Sequence, residues 1–223
     1  MSLKPGDTVV MTYIYGDNVQ TGKFMKSVAD VNLPVCNAFK RSKFMGNGYA
    51  LRDFVDCLEC LKDNYKYVIY SDGGDTFFTK SFTPLSDRII YSTEKACYPH
   101  PSLAAEYPEP KSPWRFLNGG NWCAPIPLAL EFFKRYKLNT YKTDINGQYE
   151  LAKAYLQAIK EEFPITLDEQ CEYFQTIAFE ERGDFRVTPQ GIQNLITNTY
   201  PAVFHGNGRT DMDWIYNLYP PKV

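Results

Sequence analysis

Apolar positions in the N-terminal part of the chain follow two periodicities. Continuous runs rich in β-branched and aromatic residues occur at Thr8–Tyr15, Tyr67–Tyr70 and Arg88–Ser92, and they predict strands. Apolar residues at helical spacing occur at Lys23–Asp30 and Leu51–Asn64, and they predict helices. Because strands alternate with helices, the pattern predicts βαβ units that build a parallel sheet.

The remainder of the chain is less regular. Proline is frequent from Tyr98 to Pro113, so this stretch is predicted to be irregular. Helical spacing returns at Leu128–Tyr136 and Gln148–Glu162, and Ala202–Phe204 predicts a last short strand. With 223 residues and no internal repeat, the chain is predicted to fold as a single α/β domain, residues 1–223.

Charge and hydropathy narrow the range of partners. Lysine and arginine number 24 against 26 acidic residues, and without a basic excess nucleic acid is not expected as a partner. No apolar run approaches the roughly 20 residues needed to span a bilayer. The N-terminal sequence also lacks the pattern of a signal peptide. We therefore expect a cytoplasmic protein without a membrane span.

Six cysteines could formally make three disulfides, but in this setting they are expected to be free thiols. They are Cys36, Cys57, Cys60, Cys97, Cys123 and Cys171. Cys57 and Cys60 form a CxxC motif within an amphipathic helical stretch. The absence of a second CxxC argues against a zinc site and leaves a redox pair as the alternative.

The first candidate for chemistry directly follows the predicted strand Tyr67–Tyr70. Asp72 and Asp75 enclose two glycines, so the chain can fold tightly there and bring both carboxylates to one hard cation. Ligands of open α/β sheets bind outside the carboxyl ends of strands. The alternative is a plain turn, since Asp and Gly are common turn formers. The preceding strand favours a metal site.

The second candidate is the sequence His205-Gly206-Asn207-Gly208-Arg209. Its glycines would let backbone N–H groups and the imidazole approach a diphosphate, and Arg209 would add a fixed positive charge. An exposed turn is the alternative interpretation.

Two further segments carry polar groups. Asn118-Gly119-Gly120 lies between aromatic residues and could form a loop that hydrogen-bonds hydroxyl groups, or a hairpin turn. Asp168 supplies a carboxylate, or it caps a helical segment that follows.

Five segments, taken in chain order, resemble the glycosyltransferase domain of the procollagen lysyl hydroxylases and related collagen glucosyl- and galactosyltransferases. They are VIYSDGGDTFF, ACYPHPSLAAEYP, RFLNGG, TLDEQCEYFQ and PAVFHGNGRT. The resemblance implies a GT-A fold, which is a Rossmann-like domain with a mostly parallel central sheet and helices on both faces. It also implies a Mn²⁺-dependent site and a UDP-sugar donor. Residues 1–115 would form a nucleotide-binding half, and residues 116–223 the acceptor side with the closing HGNG loop.

The resemblance places the metal ligands at Asp72, Asp75 and His205. An aromatic residue often stands inside the acid pair of the family, but Gly73 or Gly74 stands there in this chain. Stacking on uracil would therefore fall to Tyr13 or Tyr15, at the end of the first predicted strand. The full set of expected donor-binding residues is Thr12, Tyr13, Tyr15, Asp72, Asn118, Gly119, Gly120, Gly206, Asn207, Gly208 and Arg209.

The acceptor side departs from the family pattern. Of a run of acids followed by Gln, this chain retains only Asp144, with Gln148 behind it. We expect both residues on the lip of the pocket facing the donor sugar, with Asp144 or Asp168 orienting or deprotonating the acceptor hydroxyl. The alternative is that Asp144 only caps a helix that begins near Gln148.

The resulting hypothesis is a metal-dependent glycosyltransferase that moves a hexose from a UDP-sugar to a hydroxyl acceptor. A catalytically silent nucleotide-sugar-binding module of the same fold is the alternative, because the acidic run is reduced. A nucleotidyltransferase ranks third, because Tyr15–Lys23 is not the Gly-rich basic loop that such an enzyme needs.

Overall fold

The computed structural model describes residues 6–16, 19–40, 43–85, 87–140 and 142–218. The strands are β1 (Thr8–Thr12), β2 (Val35–Asn37), β3 (Tyr67–Ser71), β4 (Thr76–Phe78), β5 (Ile89–Glu94), β6 (Phe116–Pro125), β7 (Ile165–Leu167), β8 (Phe174–Thr176), β9 (Phe185–Thr188), β10 (Gly191–Asn194) and β11 (Val203–His205). The helices are α1 (Val19–Asp30), α2 (Asn47–Leu61), α3 (Ile126–Arg135), α4 (Gly147–Lys160) and α5 (Asp213–Tyr216). Short 3-10 helices cover Pro101–Glu106, Arg182–Asp184 and Asn207–Arg209.

Six strands form the central sheet, in the order β2-β1-β3-β6-β5-β7. β1 pairs in parallel with β2 and β3, and β5 pairs in parallel with β7. β6 runs antiparallel to both of its neighbours, β3 and β5. The sheet is therefore mixed and mostly parallel, which confirms the predicted fold class.

Each face of the central sheet packs against different elements because successive side chains of a strand point in opposite directions. Val9, Met11 and Val68 belong to a core cluster with residues of α2, α3 and α4. Val10 and Ile69 belong to a second cluster with α1 and with the strands of a smaller sheet. Helices thus cover both faces, as predicted.

The smaller sheet has the order β4-β11-β8. β11 runs antiparallel to β4 and parallel to β8, and this register places His205 opposite Thr76. Because β4 begins directly after Asp75, the pairing brings the end of β11 beside the acid pair. A separate hairpin of β9 and β10 completes the sheets among the described residues.

The largest error of sequence interpretation concerns Asn118-Gly119-Gly120. This segment is neither a loop nor a hairpin turn, because it lies within the ten-residue strand β6. The register between β5 and β6 shifts after Tyr91, which pairs with Trp122, whereas Ser92 pairs with Asn118. β6 is therefore bulged at its glycines, and a bulge re-aims side chains near a site.

Several boundaries also differ from prediction. β1 ends at Thr12, so Tyr13 and Tyr15 follow the strand instead of closing it. The last strand extends to His205. Of the proline-rich stretch, only Pro101–Glu106 is helical, as a 3-10 segment. Over the described ranges, every helix is too short or too polar to cross a membrane.

Candidate metal centre and cleft

Three potential metal ligands meet where the two sheets join. Asp72 follows β3, Asp75 precedes β4, and His205 ends β11. The Nε2 atom of His205 lies 3.4 Å from an Asp75 oxygen and 3.9 Å from an Asp72 oxygen. One ligand atom from each residue lies within 4.8 Å of the others. Two carboxylates and one imidazole are a donor set that suits Mn²⁺, so these residues could hold a divalent cation.

Asn118 sets the orientation of the histidine ring. Its Oδ1 atom lies 3.1 Å from Nδ1 of His205 and also accepts a hydrogen bond from the Gly120 N–H. The Gly120 N–H requires an acceptor, so this atom of Asn118 is the amide oxygen. Nδ1 of His205 must then carry a proton and donate it to the same oxygen. The lone pair of Nε2 then faces the two carboxylates, which is the tautomer a metal-ligating histidine needs.

The electrostatics of the group favour a cation. Burial and the nearby charge of Asp75 raise the pKa of Asp72 to about 6, although His205 and the Tyr70 hydroxyl act in the opposite direction. That hydroxyl donates a 2.6 Å hydrogen bond to Asp72. Burial lowers the pKa of His205, but the charges of Asp75 and Asp72 outweigh it and raise the value. A bound cation would relieve the repulsion between the carboxylates.

Two glycines are required by this packing. A Cβ atom at Gly120 would overlap the His205 ring and lie 2.8 Å from an Asp72 oxygen. A Cβ atom at Gly73 would overlap the Ile14 side chain. The bulged part of β6 therefore fits beside the ligand group only because Gly120 has no side chain.

Glu94 was missed by sequence analysis and lies directly behind the ligand group. Its carboxylate accepts hydrogen bonds from Asn207 at 2.8 Å and from Gln148 at 3.1 Å. Burial raises its pKa, and hydrogen bonds from Asn207 and Asn118 oppose this shift. Because Asn118 also contacts His205, Glu94 is connected to the ligand group through one residue. Glu94 lies at the carboxyl end of β5, where ligands of open α/β sheets bind, and this position was the available signal. It was missed because the predicted strand stopped at Ser92.

The HGNG segment contributes differently from the prediction. The Gly206 N–H donates to the Asp75 carbonyl at 2.8 Å, so it is not available to a diphosphate. Asn207 is buried, and besides its bond to Glu94 it accepts one from the Ala178 N–H at 3.0 Å. Gly208 has a φ of 68° in the short 3-10 helix. Arg209 is the member of this segment that reaches the cleft.

A cleft of about 700 Å³ opens in front of the acid pair. Among the predicted site residues, those lining it are Tyr13, Tyr15, Asp72, Asp75, Gly119, Gly120, Gln148 and Arg209. The predicted residues outside this lining are Thr12, Asn118, Asp144, Asp168, His205, Gly206, Asn207 and Gly208. His205, only 4% exposed, lies behind the acids and not on the wall.

Aromatic rings form one wall of the cleft. Tyr15 and Phe44 are stacked, with centroids 5.2 Å apart and planes 21° apart. Tyr13 packs edge-on against Phe44 and Phe54, and its hydroxyl donates to Asp53 at 3.1 Å. Tyr15 is 57% exposed, so of the two predicted tyrosines it has the more accessible ring.

Residues 38–219 match the family model described as "PLOD GT domain". The match covers well over half of the sequence. The chain belongs to this glycosyltransferase family.

Relatives of the family share between a quarter and a third of their aligned residues with the chain. The multifunctional procollagen lysine hydroxylase and glycosyltransferase LH3 of Pongo abelii is 30% identical over 175 residues, or 76% of this chain and 23% of that protein. The Homo sapiens protein of the same name is 30% identical over 168 residues, 74% of this chain and 22% of that protein. Uncharacterized protein R699 of Acanthamoeba polyphaga mimivirus is 28% identical over 172 residues, 73% of this chain and 36% of that protein. The chain thus spans well under half the length of these relatives.

A solved structure supports the fold. A glycosyltransferase involved in the glycosylation of the major capsid of PBCV-1 has a TM-score of 0.57 to this chain, at 11% identity. The similarity covers 95% of this chain and 98% of that one. At this identity it bears on the architecture alone.

Gln148 and Asp144, the two residues that were expected on the acceptor side, lie in different surroundings. Gln148 lines the cleft, and its oxygen accepts a 2.7 Å hydrogen bond from the Gly119 N–H, while its amide nitrogen also bonds the Leu117 carbonyl. Asp144 is exposed. It does not cap α4, because the helix begins at Gly147 and the cap is Asn146, which accepts from the Tyr149 N–H at 3.0 Å.

Asp168 organises a turn. Its carboxylate, 6% exposed, accepts hydrogen bonds of 2.8 Å from the backbone N–H groups of Glu172, Tyr173 and Phe174. Burial raises its pKa to about 6 against the effect of these bonds. The expected helix after Asp168 is absent, because the chain turns directly into β8. The three hydrogen bonds to this carboxylate hold that turn.

Proposed function

We propose that this chain is a divalent-cation-dependent glycosyltransferase that transfers a hexose from a UDP-sugar to a hydroxyl acceptor. The observation that carries the proposal is the convergence of Asp72, Asp75 and His205 beside a cleft that the two acids line and that is large enough for a nucleotide sugar. Membership of a glycosyltransferase family supplies the reaction class.

The three ligands would hold the cation against the diphosphate of the donor. When bound, a divalent cation such as Mn²⁺ neutralises negative charge on the departing diphosphate. Arg209 lines the same cleft and would add a permanent positive charge to the diphosphate side. Asn118 would keep His205 in its ligating tautomer throughout, since it lies on the side of the ring away from the carboxylates.

The aromatic wall would receive the nucleobase. Tyr15 and Phe44 present partly exposed rings beside Tyr13, whose position is held by Asp53. A planar base stacks on such rings with little loss of side-chain freedom. This wall would replace the aromatic residue whose place Gly73 or Gly74 occupies in the acid pair.

Asp144 is our candidate for orienting the acceptor hydroxyl. It is an exposed carboxylate in the segment that leads to Asn146, Gly147 and Gln148, all three of which line the cleft. An acceptor bound across the beginning of α4 would come within its reach. Asp168 has a structural role instead, because three backbone N–H groups donate to its carboxylate.

A catalytically silent nucleotide-sugar-binding module is the second candidate. Among the described carboxylates near the cleft, Glu94 is held by side-chain amides and Asp144 lies outside the lining. A chain with this arrangement could bind the donor and fail to activate an acceptor. The two functions differ in turnover and not in donor binding.

The discriminating experiment is a donor panel with the full chain. UDP release is measured for several UDP-sugars, with Mn²⁺ or with a chelator, and UDP binding is measured in parallel. We expect Mn²⁺-dependent release with at least one donor, even as slow hydrolysis. Mn²⁺-dependent binding without release from any donor would favour the silent module, and absence of UDP binding would refute both functions.

A further inference from the structure

Two cysteines that are distant in sequence lie side by side at the edge of the central sheet. The sulfur atoms of Cys36, on β2, and Cys57, on α2, are 3.3 Å apart. All six cysteines fall within the described ranges and are free thiols there. The nearest sequence signal pointed elsewhere, to the CxxC motif of Cys57 and Cys60, but Cys60 is exposed on the same helix whereas Cys57 is fully buried.

The two thiols are positioned for different roles. Cys36 is partly exposed on the edge strand β2, so it is the member of the pair that is open to solvent. Cys57 is fully buried, and its sulfur lies next to that of Cys36. This is the arrangement of an attacking thiol and a resolving thiol.

We propose that Cys36 and Cys57 are a site of reversible oxidation, at which a small disulfide such as oxidised glutathione converts the thiol pair into a disulfide. The bond would connect β2 to α2 directly. The inference does not depend on the proposed transferase function, because it concerns residues outside the ligand group and the cleft lining.

The surroundings favour attack by Cys36. The hydrogen bond from Cys57 lowers the pKa of Cys36 against the effect of burial, and Lys40 contributes in the same direction. The same hydrogen bond and burial raise the pKa of Cys57. Cys36 is therefore the thiol of the pair that loses its proton more readily, and the thiolate is the nucleophile in exchange.

The exchange balances in two steps. The Cys36 thiolate attacks one sulfur of oxidised glutathione, forms a mixed disulfide and releases one glutathione thiolate. Cys57 then attacks the Cys36 sulfur, and the second glutathione leaves as a thiolate that takes up the proton lost by Cys57. Two protein thiols are oxidised, and one oxidised glutathione is reduced to two molecules of glutathione.

The disulfide would close a loop that carries part of the cleft wall. Between the two cysteines lie the lining residues Phe44, Asn47, Ala50, Leu51 and Phe54. A cross-link over a loop of about 20 residues stabilises mainly by restricting the unfolded chain. For a protein of this size we expect the oxidised form to melt about 10 °C above the reduced form.

The test treats the reduced full chain with oxidised glutathione and maps its disulfides by mass spectrometry of proteolytic peptides, alongside thermal melting. We expect a Cys36–Cys57 linked peptide and the higher melting temperature, both reversed by dithiothreitol. Cys60→Ser, which removes the exposed neighbour on α2, should behave like the wild type. Cys36→Ser should lose both effects, and Cys57→Ala provides a second variant if one of them folds poorly.

Four results would overturn the inference. One is a Cys57–Cys60 linkage, the second is glutathione that remains on Cys36 without exchange, and the third is a Cys36–Cys57 bond that leaves the melting temperature unchanged. The absence of any reaction at Cys36 under conditions that modify Cys60 would equally exclude the site.

Discussion

At Gly120, the backbone of β6 occupies the space that a side chain would need beside the ligand group. Gly120→Ala would push a methyl group into the His205 ring and toward Asp72, so at least one ligand must move. We expect Mn²⁺ affinity to fall by a factor of about 10 to 100, the range seen when the support of a metal site is disturbed. Titration of Mn²⁺ into the metal-free chain measures this loss.

Gly22→Ala is the matched control for that substitution. Gly22 lies within α1 and a Cβ atom there meets nothing within 4 Å. Alanine is also the better helix former, so this variant should keep its Mn²⁺ affinity and be slightly more stable. Equal affinities of the Gly120→Ala and Gly22→Ala proteins would show that β6 does not constrain the ligand group.

The raised pKa of Asp72 makes cation binding depend on pH. Since burial and Asp75 raise this pKa to about 6, the free site holds a proton below that pH, and a cation must displace it. The pKa of His205 is also raised, so its protonation acts in the same direction. We expect apparent Mn²⁺ affinity to fall about tenfold or more per pH unit below pH 6, which calorimetric titrations at several pH values would measure. A Mn²⁺ affinity that stays the same from pH 7 to pH 5 would contradict this prediction.

Substitutions of Asp144 and of Asn146, two residues further along the chain, should change different properties of the protein. If Asp144 orients the acceptor hydroxyl, Asp144→Asn should lower the transfer rate by a factor of about 10² to 10⁴ and leave UDP and Mn²⁺ binding intact. Asn146→Ala removes the cap of α4 and should instead cost about 1 kcal/mol of unfolding free energy. Steady-state kinetics and urea unfolding of both variants separate the roles, and wild-type turnover by Asp144→Asn would eliminate the residue.

At the scale of elements, the side chain of Gln148 hydrogen-bonds α4 to β6. Gln148 accepts from the Gly119 N–H and donates to Glu94 and the Leu117 carbonyl. Gln148→Glu keeps the acceptor, loses the donor and places a second carboxylate against Glu94. We expect a loss of about 1–3 kcal/mol in unfolding free energy, measured with urea.

The control for this substitution lies on the same helix. Gln157 is exposed and donates to Glu161 on the helix surface. Gln157→Glu introduces a like-charge pair of the same kind at solvent, which should cost only about 0.5 kcal/mol or less. If both variants lost the same free energy, the bonds of Gln148 would have no special role in joining the two elements.

The elements that sequence analysis found are those with a strong local pattern. β3 and α2 have continuous apolar or helical patterns, and Asp72 and His205 belong to short motifs with few interpretations. β6 was missed because its glycines signal a turn locally, whereas their cause is the distant packing of His205. The role of Glu94 was hidden for the same reason, since its partners lie 54 and 113 residues away in the chain.

At the scale of the whole molecule, the ligand group joins two sheets. Asp72 follows β3 of the central sheet, and His205 ends the middle strand of the smaller one. Asp75 lies on the connection from β3 to β4. The group also draws on both halves expected from the sequence, 1–115 and 116–223. A cation held there would fix the position of the two sheets relative to each other and hold the donor at their junction.

The most direct test of this account is UDP binding to the Asp75→Asn chain. Calorimetry would compare the wild type, Asp75→Asn and the control Asp63→Asn, which alters an exposed carboxylate after α2, each with Mn²⁺ and with a chelator. We predict Mn²⁺-dependent UDP binding by the wild type and by the control. In Asp75→Asn, the UDP affinity measured with Mn²⁺ should fall by about 100-fold or more, because losing a direct metal ligand should cost at least as much as losing one of its supporting contacts. UDP binding to Asp75→Asn that keeps the wild-type affinity and Mn²⁺ dependence would contradict the account.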